Sequence, residues 1–151
     1  MAGFVIAGCR GTEPVQCGPT VVEQLDPSNI HMLPNAAPPT YLTDPPTSGA
    51  HVAGLRVSGL QQQPIDPVAQ VSSLEVGIVI IQHQNLDEAS RSMLTGLASD
   101  EVAVAPGRSL PARVVATGWG RKLRCNDVDL IRLRAFIAEA APLAPGGHSP
   151  P

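Results

Sequence analysis

Aromatic side chains are scarce in this chain: Phe4, Tyr41, Trp119 and Phe136 are the whole set among 151 residues. Stacking platforms for single-stranded nucleic acid need several exposed rings, so that class of function is excluded. A net charge of −3 argues in the same direction against a dedicated nucleic-acid binder. No stretch of about 20 apolar residues that would span a bilayer as a helix occurs. The familiar catalytic signatures are missing too. There is no Gly-x-Ser-x-Gly nucleophile elbow and no Gly-Asp-Ser-Gly or Ala-Ala-His-Cys segment of a chymotrypsin-like protease. No glycine loop ends in the Lys-Ser/Thr that a phosphate cradle requires, and no Cys-x-x-Cys motif is present. Thr117-Gly118-Trp119-Gly120 reads as a turn with an aromatic plug. A Ser48–His51–Asp44 relay can be drawn, but its Pro-Pro-Thr-Ser-Gly context is turn chemistry.

What is present describes a folded protein. The apolar fraction is 43% and the charged fraction 15%, a globular composition. The length suits one domain, expected over residues 10–142, with residues 143–151 as a flexible tail. Its core must be built from Val, Ile, Leu and Ala. Charge is unevenly spread: residues 1–107 carry −7 and residues 108–151 carry +4. Arg121, Lys122, Arg124, Arg132 and Arg134 form a local basic cluster. It reads first as a solvated face beside one helix, and second as a strip for anions or lipid headgroups.

The amino terminus, Met-Ala-Gly-Phe-Val-Ile-Ala-Gly-Cys, carries an address. Ile6-Ala7-Gly8-Cys9 resembles a bacterial lipobox, in which the Cys9 thiol is lipidated and the preceding residues are removed. The expectation is an extracytoplasmic domain held at the membrane by a lipid; the competing reading is a buried strand Gly3–Gly8. With Cys9 set aside, Cys17 and Cys125 form an even pair, which an exported domain would join as a disulfide. Two free buried thiols are the alternative.

Residues 10–70 are rich in proline: Pro34, Pro38, Pro39, Pro45, Pro46, Pro64 and Pro67 interrupt helices and sheet ladders. The expectation is a long ordered wrap, with Thr20–Leu25 as its strand candidate. Regularity begins at residue 74. Val76–His83 contains a β-branched run typical of a strand buried on both faces. Asn85 is the expected cap of a helix carrying Leu86, Ala89, Met93, Leu94 and Leu97, with Glu88 completing a capping box. Glu101–Ala105 and Arg113–Thr117 are strands, and Lys122–Cys125 pairs back. Asn126 is the expected cap of a last helix with Leu130, Leu133, Ile137 and Ala140 on its buried face. The order β-α-β-β-α predicts an α+β fold: a small mixed sheet with two helices and a Pro-rich wrap.

A wider resemblance emerges from His31, Tyr41, Pro45-Pro46-Thr47-Ser48-Gly49-Ala50-His51, Leu74-Glu75 with Gly77, and Val114 to Arg121. In order and spacing these are similar to a bacterial family of unknown function, number 3105, over about Cys17 to Ile137. That resemblance implies an exported or membrane-tethered protein and supplies no activity. It also implies a His-rich metal site, to which His31 and His51 correspond. The chain departs from that pattern at Ser72 and Val76, where His is usual, and at Ser58, where some members have Cys. Valine cannot donate to a cation and serine donates weakly, whereas imidazole suits Zn or Cu. Glu75 is the candidate third ligand, and His83 a fourth if the fold brings it near. Two functions follow as expectations. The first is a non-catalytic binding or interaction module of the cell envelope, with an envelope protein or small ligand as partner and no nucleic acid. The second is a protein binding Cu or Zn through His31, His51 and Glu75.

Overall fold

Val79-Ile80-Ile81-Gln82-His83 forms the central strand because its β-branched residues Val79, Ile80 and Ile81 favour extended backbone and find apolar cover on both faces. The structure, a computed structural model, describes residues 16–145. Six strands make one mixed sheet: β1 (Val21–Val22), β2 (Gly59–Leu60), β3 (Val79–His83), β4 (Val102–Pro106), β5 (Val114–Gly118) and β6 (Arg121–Cys125). Their spatial order is β1-β6-β5-β3-β4-β2. β3 runs parallel to β4 and antiparallel to β5; β5–β6 and β6–β1 are antiparallel; β2 is parallel to β4. The α+β expectation holds, and the strands from residue 76 onward fall within a few residues of their predicted positions.

The helices are three rather than two: α1 (Pro67–Glu75), α2 (Glu88–Thr95) and α3 (Leu130–Ala140). α1 is the correction. Pro64 and Pro67 were expected to exclude a helix, yet Pro67 sits at the first helical position, where its missing N–H costs nothing. Asp66 caps it, accepting from Val68 N at 2.9 Å. The interior of α1 is polar where it meets the wrap. The Ser72 and Ser73 hydroxyls donate to Val68 and Ala69 carbonyls one turn back and accept Val52 N at 3.0 Å and Val57 N at 2.9 Å. Those serines staple the Pro-rich wrap, which is why α1 shows little apolar periodicity. The other caps lie slightly downstream of expectation. Asp87 rather than Asn85 caps α2, accepting from Ser90 N, and Asp129 rather than Asn126 caps α3, accepting from Arg132 N.

Topology places the helices on opposite faces. The β2-α1-β3 crossover steps one way across β4, and β3-α2-β4 steps back. Right-handed connections in opposite directions put their helices on opposite sides. Val71, Leu74, Ile80, Ala103 and Trp119 pack together under α1 and the wrap. On the other face Ile81, Val104, Leu123, Leu133 and Phe136 pack under α2 and α3. The side chain of Gly118 is hydrogen because a Cβ there would stand 2.6 Å from that of Ala140.

Cys17 and Cys125 are joined in a disulfide that closes a separation of 108 residues. In the chain-entropy account such a closure stabilises by roughly 4–5 kcal/mol. Next to it β6 buries a charge. Lys122 is 0% exposed, and its Nζ lies 2.9 Å from Glu23 Oε1. The Thr43 and Thr47 hydroxyls donate to Glu23 Oε2 at 2.8 and 2.7 Å. The solvated basic face expected of this region therefore excludes Lys122, while Arg132 turns to Thr20 Oγ1 at 2.6 Å and Arg121 to its neighbour's carbonyl.

Burial alone would raise the Glu23 pKa, but the Lys122 ammonium with the Thr47 and Thr43 hydroxyls outweighs it and holds the carboxyl below its ordinary value of 4.5. A depressed folded-state pKa contributes stability that is full above 4.5 and is lost as pH falls through the lower folded value. Glu23→Gln should cost about 3–5 kcal/mol at neutral pH, because it strands a buried ammonium. That penalty should shrink in denaturant melts run progressively below pH 4.5; a pH-independent deficit would refute the ionic account.

Candidate metal centre

Three residues that lie far apart in the sequence meet on the α1 side of the sheet. His31 comes from the wrap, His51 from the loop after the Pro-Pro-Thr-Ser-Gly stretch, and Glu75 from the last turn of α1. A parallel bridge sets the two histidine backbones side by side. His51 N donates to Ile30 O at 3.0 Å, and Met32 N donates to His51 O at 2.8 Å. Their rings stand edge to face with centroids 4.9 Å apart. Glu75 then addresses both: Oε1 lies 3.2 Å from His31 Nε2, and Oε2 lies 3.0 Å from His51 Nε2. One donor atom from each residue falls within 4.8 Å of the others. Donors around a tetrahedral ion with bonds of about 2.0–2.1 Å stand about 3.3–3.4 Å apart. The two His–Glu spacings, made through different carboxylate oxygens, are near that edge, while the three donors as a set span up to 4.8 Å.

The tautomer of His51 decides what the cluster can do. Its Nδ1 lies 2.8 Å from Gly49 O, an acceptor only, so Nδ1 carries the proton. In the neutral ring Nε2 is then a bare lone pair, 2% exposed, aimed into a site where Glu75 also offers lone pairs. His51 Nε2, like Lys122 Nζ, lies within ion-pair distance of a carboxylate without hydrogen-bond geometry. Facing acceptors need a cation between them, either a second proton or a metal ion. An Nδ1–H held by a backbone carbonyl is also how metal-ligating histidines are commonly oriented.

Other groups support this geometry. Trp119 stands edge-on to His51 with centroids 6.0 Å apart. Gly49 has φ +128°, and a Cβ there would meet the Tyr41 ring at 2.9 Å, so only glycine delivers that carbonyl. Tyr41 donates to Ala50 O at 2.8 Å. Burial, then Asp66 and Asp26, push its pKa up to about 12, so it stays a phenol and is no anionic ligand.

His83 does not join. It alternates with Val79 and Ile81, which face α2 and α3, and so projects from the opposite side of the sheet. Burial and then Arg91 hold its pKa below the ordinary histidine value. Ser72 lies beside the site and is engaged with Val52 N and Val68 O. The Ser48–His51–Asp44 relay does not form: Ser48 Oγ accepts from Asp26 N, and both His51 nitrogens face other groups. Cys9 lies outside the described residues.

A family model described as a protein of unknown function, DUF3105, matches residues 34–149. The chain belongs to that family. No curated protein and no solved structure matches it. The matched region holds His51, Glu75, Trp119 and Cys125, and begins three residues beyond His31. Within this DUF3105 protein, then, the family-matched body supplies two of the three clustered donors, and the segment before it supplies the third. The sequence resemblance had His31 within its span; the match leaves it outside.

Gly49→Ala should lower affinity for a bound cation about 10–100-fold, the usual effect of losing an orienting partner of a ligand. The check is zinc competition titration on the folded variant, with wild-type affinity as the outcome that refutes the assigned role of the carbonyl.

Proposed function

We propose that this protein is a metal-binding module that holds Cu or Zn on His31, His51 and Glu75, in a domain tethered outside the cytosol through lipidated Cys9. The observation that carries the metal reading is the buried His51 Nε2, whose ring is oriented by the Gly49 carbonyl and which faces the Glu75 carboxylate at 3.0 Å. Two imidazoles and a carboxylate are a donor set that suits Zn and leaves a position for an exogenous ligand; imidazole suits Cu equally. Of the two functions expected from sequence, this one gains specific support, and the envelope module becomes its setting rather than its rival. The lipobox-like Ile6-Ala7-Gly8-Cys9 and the Cys17–Cys125 disulfide support that setting, since disulfides persist in oxidising compartments. No helix among the described residues is long and apolar enough to cross a membrane.

Purified disulfide-intact protein, loaded with zinc or copper and desalted, should retain one ion per chain by elemental analysis. His51→Ala and Glu75→Gln should abolish retention, and His83→Ala should leave it unchanged. Metal at about 100 times its Kd should stabilise the wild type by about 2.7 kcal/mol, seen as a rise in Tm that His51→Ala lacks. Failure of the wild type to retain either metal would end the proposal.

A further inference from the structure

The residues before the family-matched region form a clasp. From residue 16 to residue 33 the chain runs along β6, then crosses the wrap and α1. Gly18 N donates to Arg124 O, Asn126 N to Gln16 O, and Glu23 N to Gly120 O. The Cys17–Cys125 disulfide, the Glu23–Lys122 ion pair and the bond from Asp26 backbone N–H to Ser48 Oγ fasten it further. Its far end delivers His31 to His51 and Glu75. Exposure rises across the three donors, from 2% at His51 through 20% at Glu75 to 59% at His31. The body holds the two sheltered donors, and the clasp adds the outer one.

Resting on the metal reading above, we infer that metal capture and closure of the Cys17–Cys125 disulfide are coupled through this clasp, so that the protein takes its ion tightly only once oxidised. The closed disulfide holds the clasp on β6 and raises the effective concentration of His31 at the site. A bound ion bridges clasp to body and resists the lifting that exposes the disulfide. Both sulfurs lie under cover, with Cys17 7% and Cys125 1% exposed, so a reductant gains access only when the clasp opens. The linkage is reciprocal: each event favours the other. In the oxidising surroundings where a tethered domain matures, the disulfide closes first and the site is charged second. A dithiol would reverse this, giving two electrons and two protons to the S–S bond and becoming a disulfide itself, with two thiols left on the protein.

Two measurements test the coupling. Zinc affinity is compared, by chelator competition, between the wild type and the Cys17→Ser/Cys125→Ser double variant, whose folding is checked by circular dichroism. The variant should bind about tenfold more weakly, within the roughly 5–150-fold span of linked sites. Equal affinity in a folded variant overturns the inference. The second measurement keeps both cysteines in place. A water-soluble phosphine attacks one sulfur, the other leaves as a thiol after protonation, and water releases phosphine oxide and the second thiol. Zinc should slow this reduction severalfold in the wild type and leave it unchanged in His31→Ala. A reduction rate indifferent to bound zinc, or protection that survives His31→Ala, overturns the coupling and leaves the metal reading standing. A disulfide-intact wild type that binds no zinc or copper removes both.

Discussion

The structure depends on a charge buried inside its sheet. An ammonium at the fully covered position 122 is unfavourable unless a carboxylate and further polar groups meet it there. Glu23 answers from the clasp, and Thr43 and Thr47 answer from the wrap by binding the carboxylate oxygen that Lys122 leaves free. Four residues from three stretches of chain must therefore arrive together. The consequence reaches the candidate metal centre directly. Thr47 is followed by Ser48, which anchors Asp26, and by Gly49, whose carbonyl fixes the His51 ring. A wrong register of the wrap would leave the Glu23 carboxylate without its two hydroxyl donors, so the polar cluster around Lys122 favours the register that also aims His51.

The strands and the last two helices were legible from sequence because their signals are local. Ile78 to Ile81 is a β-branched run, and Leu130, Leu133 and Ile137 recur at helical spacing, so packing against the sheet only confirmed what periodicity stated. The helix α1 was not legible for a physical reason. Its buried face is largely serine and glutamine, whose hydrogen bonds to the wrap replace apolar contacts, so the periodic signal is weak. The Asp66-Pro67 pair, a cap followed by a proline at the first helical position, was the available signal. Lys122 was read with its arginine neighbours as surface, since charge composition does not record which side of a strand a residue faces.

The candidate centre was legible in its residue types and not in its geometry. His31, His51 and Glu75 came from a resemblance, and the fold brings all three together. His83 failed on parity alone: one residue along β3, at Gln82, would have faced α1, where Gln82 bonds Gln70. Nothing in sequence told that the Gly49 carbonyl fixes the His51 tautomer, because that depends on the chain folding back two residues at a positive φ. Yet Gly49 itself, between a serine and a small residue before a histidine, was the one visible hint.

The number of donors bears on how firmly an ion would sit. A tetrahedral structural site needs four closed ligands, and the described residues offer three here, one of them more than half exposed. Ser72 cannot restore a fourth, since its hydroxyl is committed to holding Val52 beside α1. Replacing that tie with a ligand would loosen the wrap segment that carries His51, so at this position donor number and donor alignment compete. An ion held by two sheltered donors and one from a separately anchored segment has its exchange governed by how that segment is fastened. In such a site the disulfide and the buried ion pair, remote from the imidazoles, would tune a retention that the ligands themselves make possible.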